Sequence, residues 1–412
     1  MSLAERRWLR LFTLCALFFA QGIPWGFLAI TLPGYLAERG LDIAVLGSVQ
    51  AMSYWPYVFK FAGGPLIDLF SIRRLGRRRS WILFAQGMMA VTMLGFALVD
   101  DVTAHVDLLL VLVLVHTIFN ALQNVAADAL AIDLLDPDER GRANGFMYGS
   151  KYAGGLIGGV GIAHVLDYVG FRTAVLAQAA ILGAIFLIPL FVRERGGPPP
   201  EHAKPSEIWR VLRRVYKLRS PWTAAGAMLV MTIAGGMLAV VAQAVLIQDL
   251  GWSNSQYANL VGGYGLLLGV LGSSVAGLLA KRVGHRRLAA AGSLLLAADW
   301  LAFAAGHAWW HSDAFVYAIG LTEPFAQSIM IVALWSVCMS VTTKQTGATQ
   351  FAAYTSLTNL GIIIGQRALA ANAASWWSYP GVYVAAGILQ IAVIAILPVI
   401  DPKQVRRELP PE

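Results

Sequence analysis

The sequence predicts an all-α membrane protein with twelve transmembrane helices in two pseudo-symmetric six-helix halves. Three observations lead there. The 412-residue chain is 58% hydrophobic and only 13% charged, with mean hydropathy +0.63; a soluble chain carries about a quarter charged residues. The apolar residues gather in twelve blocks, most of them near the ~20 residues a membrane helix needs. They run roughly 11–36, 44–68, 80–99, 107–134, 142–166, 171–192, 222–248, 256–280, 288–306, 314–340, 347–371 and 378–399. Finally, the connection Gly64–Arg79 after the second block carries Arg73, Arg74, Arg77, Arg78 and Arg79. A weaker copy, Gly277–Arg287, follows the eighth block at the matching place.

The net charge of +8 would suit nucleic acid, but its placement argues for a bilayer. Arg39 and Arg172 fall in outer loops, and Lys60, Lys151 and Arg367 fall inside helices. Every other Lys and Arg lies in the inner connections and termini. That asymmetry predicts both termini on the cytoplasmic side. The first block lacks a small-residue cleavage site and reads as a retained helix. Cys15 and Cys338 both fall in helices and read as small core residues, with no disulfide framework, metal site or cofactor expected.

In helix 1, Gln21-Gly22-Ile23-Pro24-Trp25-Gly26 puts glycine and proline deep in the span. Such a cluster bends a helix or opens its backbone where protein or a cavity supplies partners. Helix 2 places Ser53, Tyr57, Lys60 and Gly64 on one face. Lys60 stands about 12 Å from Asp68 at the inner end, counted at 1.5 Å per residue. A lysine so deep is costly unless paired or hydrated. Asp68, at a helix end, can pair with an arginine or with the positive N-terminus of a neighbouring helix; Asp68 and Arg77 read as gating or structural ion-pair residues. Helix 4 carries Asn120, Asn124 and Asp128 in one polar stripe, with Gln123 alongside and Asp133 lower. Such a stripe faces protein or water, not lipid; it is either a structural seam or a solute and proton path.

Helix 5 shows Asn144, Tyr148, Lys151 and Tyr152. Lys151 lies about 13 Å from Arg142, so Lys60, Asp128 and Lys151 share a depth. One carboxylate between two lysines would leave a cation spare for an anion. Gly154, Gly155, Gly158 and Gly159 give a close-packing surface. Residues 193–221 form a linker between halves 1–192 and 222–412. It holds an expected amphipathic helix with Ile208, Val211, Leu212, Val215 and Leu218 on one face and Ser206 as its cap. Helix 7 offers Gln243 and Gln248, and helix 8 repeats the glycine spacing at Gly265 and Gly269. Helix 9 contains Asp299, without an evident partner. Helix 10 contains Glu323 and Gln327; helix 11 contains Tyr354 and Arg367. Glu323 and Arg367 share the outer third and are expected to pair, either as a gate or permanently.

On these residues the chain resembles a major facilitator superfamily permease. The two basic loops resemble the superfamily's signature loop. More narrowly, the chain resembles the AmpG-like branch, which includes muropeptide, acetyl-coenzyme A and siderophore transporters. The local matches are Gln21–Phe27, Tyr57–Asp68, Gln123–Asp128, Gly145–Tyr152 and Thr349–Tyr354. It departs from the branch at Asn124, where an acid is usual, and at Lys151, where an arginine is common.

The resemblance implies alternating access around a cavity lined by helices 1, 4, 7 and 10, in a bacterial inner membrane. It adds to a reading of the residues as solute ligands: Gln21, Trp25, Tyr57, Lys60, Asn120, Asn124, Tyr148, Lys151, Tyr152, Gln243, Gln327 and Tyr354. Asp128 and Glu323, as intramembrane carboxylates, are the proton-coupling candidates. The expected partners are a medium-sized, anionic, muropeptide- or siderophore-like solute, protons and lipid. The rival class is a non-transporting assembly or signalling factor on the same fold, which has no need of charged side chains inside its helices. An enzyme is not expected: no nucleophile–base constellation, metal spacing or phosphate loop is present.

Overall fold

The computed structural model describes residues 3, 6–69, 75–135, 137–194, 213–215, 217–342, 347–401, 404 and 407. Among these, apart from a single bridge at Arg193, all regular structure is helical. The helical stretches follow the twelve apolar blocks. Nine are long and apolar enough to cross a membrane: helix 1 (Arg7–Glu38), helix 3 (Arg77–Ala97), helix 4 (Val106–Leu134), helix 6 (Phe171–Phe191), helix 7 (Arg219–Asp249), helix 8 (Asn254–Ala280), helix 9 (His285–Ala305), helix 10 (Asp313–Ser340) and helix 12 (Tyr379–Val399). The other three are helices 2, 5 and 11. Helix 5 runs Pro137–Leu156, Ile157–Gly161 and Ile162–Val169; helix 11 runs Gly347–Ile363, Ile364–Leu369 and Ala370–Trp376.

Helix 2 departs from the expected single span 44–68. It is built of three pieces, Ile43–Met52, Trp55–Val58 and Lys60–Leu69. Pro56, in the first turn of the middle piece, has no N–H to continue a ladder, so the chain turns at Ser53–Tyr54 and again at Phe59. Lys60 opens the last piece.

Two compact units form. The first comprises Met1–Pro198 with Gly251–Gly263, the second Pro199–Leu250 with Tyr264–Glu412. In the first, helices 1 and 5 touch backbone to backbone. A Cβ on Gly22 would stand 1.9 Å from the Lys151 carbonyl oxygen, and one on Gly26 2.1 Å from that of Gly155. From the other side, a Cβ on Gly158 would stand 1.9 Å from the Ile23 oxygen. The glycine run of helix 5 is thus a packing surface, and the glycines of helix 1 are its counterpart. Both helices widen into π-turns just beyond, at Phe27–Thr31 and Ile157–Gly161. There the Thr31 hydroxyl lies 2.9 Å from the Gly158 carbonyl oxygen and 2.6 Å from that of Gly159.

In the second unit the same construction joins helices 7 and 11. A Cβ on Gly236 would meet the Ile362 oxygen at 2.6 Å, one on Gly361 the Leu229 oxygen at 2.4 Å, and one on Gly365 the Ile233 oxygen at 2.2 Å. The second-half counterpart of the helix 5 surface is therefore on helix 11. On helix 8, a Cβ on Gly269 would stand 3.1 Å from the Ser328 hydroxyl oxygen, and one on Gly272 2.4 Å from the Phe325 oxygen.

The basic connections repeat in backbone as well as sequence. Gly76 (φ 103°, ψ 145°) precedes helix 3 and Gly284 (φ 86°, ψ 143°) precedes helix 9, a conformation other residues rarely adopt. In the first copy, Glu194 accepts the N–H groups of Arg78 and Arg79, both at 2.9 Å, at the N-terminus of helix 3. Arg79 donates to the carbonyls of Pro189 and Leu190, both at 2.7 Å. Two helix ends thereby satisfy each other's orphan groups. The expected amphipathic linker helix and Ser206 lie almost wholly outside the described residues; Val215 and Leu218 are buried.

Candidate functional site

Helix 4 positions the site. Its Asn120, Gln123 and Asn124 are buried, and each turn of the polar stripe meets a different neighbour. Gln123 donates to the Leu17 carbonyl at 3.3 Å and to Gln86 at 3.2 Å, which makes it a structural tie. Asn124 donates to Gln21 of helix 1 at 2.6 Å. Gln21 Nε2 and Asn120 Oδ1 are buried without a hydrogen-bond partner among the described residues.

One turn further, the Asp128 carboxylate accepts from Lys60 Nζ at 2.9 Å, both side chains about a third exposed. The break at Phe59 brings this about by restarting helix 2 at Lys60. Lys151 stands within electrostatic reach of both Lys60 and Asp128 but makes no ion pair within 4 Å among the described residues. Its backbone carbonyl is pinned against Gly22. Tyr57 and Tyr148 also lie within electrostatic reach of Asp128. Tyr148 is half exposed and packs edge-on to Phe18 at 5.6 Å, and Tyr152, also on helix 5, is exposed too. The Trp25 indole lies over Gly155. The three charges predicted from depth alone therefore do gather. Two cations and one carboxylate lie together there, with Tyr57 and Tyr148 near the carboxylate.

Arg77 and Arg78 both donate to Asp133 at 3.1 Å, at the C-terminal end of helix 4. The side chain of Asp68 lies outside the described set. Arg7 and Arg10 hold Glu139 at 2.8 and 2.9 Å.

In the second unit, Gln243 on helix 7 and Tyr354 on helix 11 are buried. Gln327 on helix 10 lies against Gly235 of helix 7. The expected Glu323–Arg367 pair does not form. Arg367 lies exposed in the π-segment Ile364–Leu369, while Glu323 lies in the first turn of Thr322–Ser340, beside Trp300 of helix 9. Equal depth fixed their height but not their direction around the helix. Asp299 acquires the partner the sequence did not reveal: the Thr322 hydroxyl donates to its carboxylate. The signal was an interruption in helix 10 at Leu321, which no apolar count shows. Among the described residues no group of three His, Cys, Asp or Glu side chains could hold a metal, and Cys15 and Cys338 are free thiols.

Comparison with known proteins matches the Major Facilitator Superfamily over residues 14–365 and 224–412. The chain belongs to the Major Facilitator Superfamily. It is a multi-pass membrane transporter of that superfamily, and its similarity lies with the AmpG-like branch. It is 26% identical over 366 residues to the Rickettsia conorii protein named Putative transporter AmpG 4, covering 85% of this chain and 87% of that one. It is 23% identical over 354 residues to the anhydromuropeptide permease of Escherichia coli K12, covering 83% of this chain and 70% of that one. A POT family transporter crystallised with 5-aminolevulinic acid shares the fold. Its TM-score is 0.73 at 14% identity, over 95% of this chain and 96% of that one.

Proposed function

We propose that this superfamily member carries an anionic, medium-sized solute of muropeptide or siderophore type across a bacterial inner membrane by alternating access. Uptake is driven by protons, and both termini are cytoplasmic. The observation that carries the reading is the Lys60–Asp128–Lys151 cluster, drawn from helices 2, 4 and 5 of the first unit. A paired Lys60–Asp128 needs no third charge for its own satisfaction, so Lys151 is the cation left for an anionic solute. Asp128, the carboxylate of the cluster, is the coupling residue, because protonating it releases Lys60 to the solute. Gln21 and Asn120 add unspent hydrogen-bonding capacity one and two turns along. Trp25, Tyr57, Tyr148 and Tyr152 supply faces on which rings or sugars stack. In the second unit, Gln243, Gln327 and Tyr354 are further candidate ligands, and Glu323 is a second candidate proton carrier.

The test is uptake into energised membrane vesicles of labelled anhydromuropeptide and a labelled ferric siderophore, with and without a proton gradient. Gradient-dependent accumulation of either supports the reading, and Asp128→Asn then abolishes accumulation without loss of folded protein. Accumulation by Asp128→Asn at the wild-type level would remove proton coupling through this residue. No accumulation of either solute by folded protein would favour a non-transporting role.

A further inference from the structure

Beside the charged cluster lies a cavity of about 530 Å³ between helix 2 and helix 4, within the size range of small-molecule sites. On helix 4, Leu114, Ile118, Ala121 and Val125 line it at spacings of four, three and four, one helical face. The next position on that face is Asp128, so the apolar stripe ends in the carboxylate. From Leu114 to Val125 the wall runs about 17 Å. On helix 2, Trp55 and Phe59 stack at 6.2 Å with 11° between planes and form the opposite wall. Helix 2 is broken just before Trp55 and at Phe59 itself. Lys60 joins the two sites: its stem lines the cavity and its ammonium holds Asp128. It is the single charged residue among the lining residues.

A bilayer acyl chain gains little from leaving hydrocarbon for such walls, because lipid tails are as apolar as leucine. What sets this cavity apart is Lys60 in its lining, whose ammonium is held by Asp128 and has Lys151 within electrostatic reach. We propose that the cavity seats the apolar body of an amphiphilic anion whose carboxylate reaches Lys60 and Lys151. This names the chemical class of the transported solute and rests on the transport reading above.

The probe is radiolabelled dodecanoate, bound to the purified full chain in phosphatidylcholine nanodiscs and competed with dodecanol or acetate. Dodecanoate binds saturably, and dodecanol and acetate each compete at least about tenfold less well, the loss expected for one charge-assisted contact. Lys60→Gln combined with Asp128→Asn, which removes both charges of the pair, weakens binding by a similar factor. Ala121→Phe fills the cavity and Ile118→Trp blocks its rim; either abolishes binding, with folding checked by monodisperse elution and thermal melting.

Absent binding overturns the proposal. So does dodecanol competing as well as dodecanoate, which would make the cavity a lipid groove. Binding unchanged in both folded cavity variants also overturns it. Vesicle uptake separates the two readings. Uptake of muropeptide or siderophore that ignores Ala121→Phe and Ile118→Trp leaves transport standing and the cavity proposal fallen. Absence of uptake of either solute defeats the muropeptide-or-siderophore reading whatever dodecanoate does.

Discussion

Gly22→Ala tests the contact on which the first unit is assembled. The added Cβ would stand 1.9 Å from the Lys151 carbonyl oxygen, where ordinary contact begins at 3.4 Å. Helices 1 and 5 must therefore part locally by about 1.5 Å, because the obstacle is backbone and has no rotamer to yield. Overpacking of this kind costs about 1–3 kcal/mol. Helix 5 supplies its own control. Gly145 and Gly149 lie on the same helix, and a Cβ on either would have nothing within 4 Å, so Gly149→Ala gains the helix propensity of alanine, up to about 1 kcal/mol. The two substitutions are chemically identical and opposite in sign. Thermal melting of both variants in one detergent reads the difference, with Gly22→Ala below wild type and Gly149→Ala at or above it. Gly22→Ala melting at or above wild type would refute the close-contact reasoning.

Three further outcomes follow from the geometry. Lys60→Gln alone leaves Asp128 without its partner and lowers thermal stability, while the Lys60→Gln, Asp128→Asn double variant recovers most of the loss; a double variant less stable than either single would show that the pair is not coupled. Gly76→Ala forces alanine into an extended positive-φ conformation that is essentially glycine's alone (φ 103°, ψ 145°), about 1–3 kcal/mol, and sets its methyl 2.6 Å from the Glu194 carboxylate. Gly284→Ala meets nothing within 4 Å and costs only the backbone strain, so folded yield should fall further for Gly76→Ala. Arg79→Lys replaces a fork bonded to two helix-end carbonyls with a point donor, and lowers the melting temperature more than Arg282→Lys, an exposed position.

The helices were legible because apolar runs longer than about 20 residues have few other uses. The depth of Lys60, Asp128 and Lys151 was legible too, since rise per residue is constant. Direction around the axis was less so. It succeeded for Asp128, where Asn120 and Asn124 marked a polar face, and failed for Glu323 and Arg367, which have no such marker. The interruption at Pro56 was not read, because apolar residues continue on both sides of it. The glycines of helix 1 read as a kink beside Pro24, because one sequence shows a small-residue surface without showing which partner it meets. The cavity along helix 4 was hidden for a related reason: Leu114, Ile118 and Val125 look the same whether they face lipid, protein or a hollow.

The interlock of helices 1 and 5 has a mechanical side. Helices that meet through long side chains can slip along each other as rotamers change. Here carbonyls sit against Cα atoms, with the Thr31 hydroxyl bonded across the widened turns. Sliding by one residue, about 1.5 Å, would have to carry Ile23 and Gly22 past fixed backbone. The pair therefore moves as one beam. Gln21 on one helix and Lys151 on the other are thus tied through backbone contact, whereas Lys60 rides on helix 2, which is jointed at Ser53–Tyr54 and at Phe59.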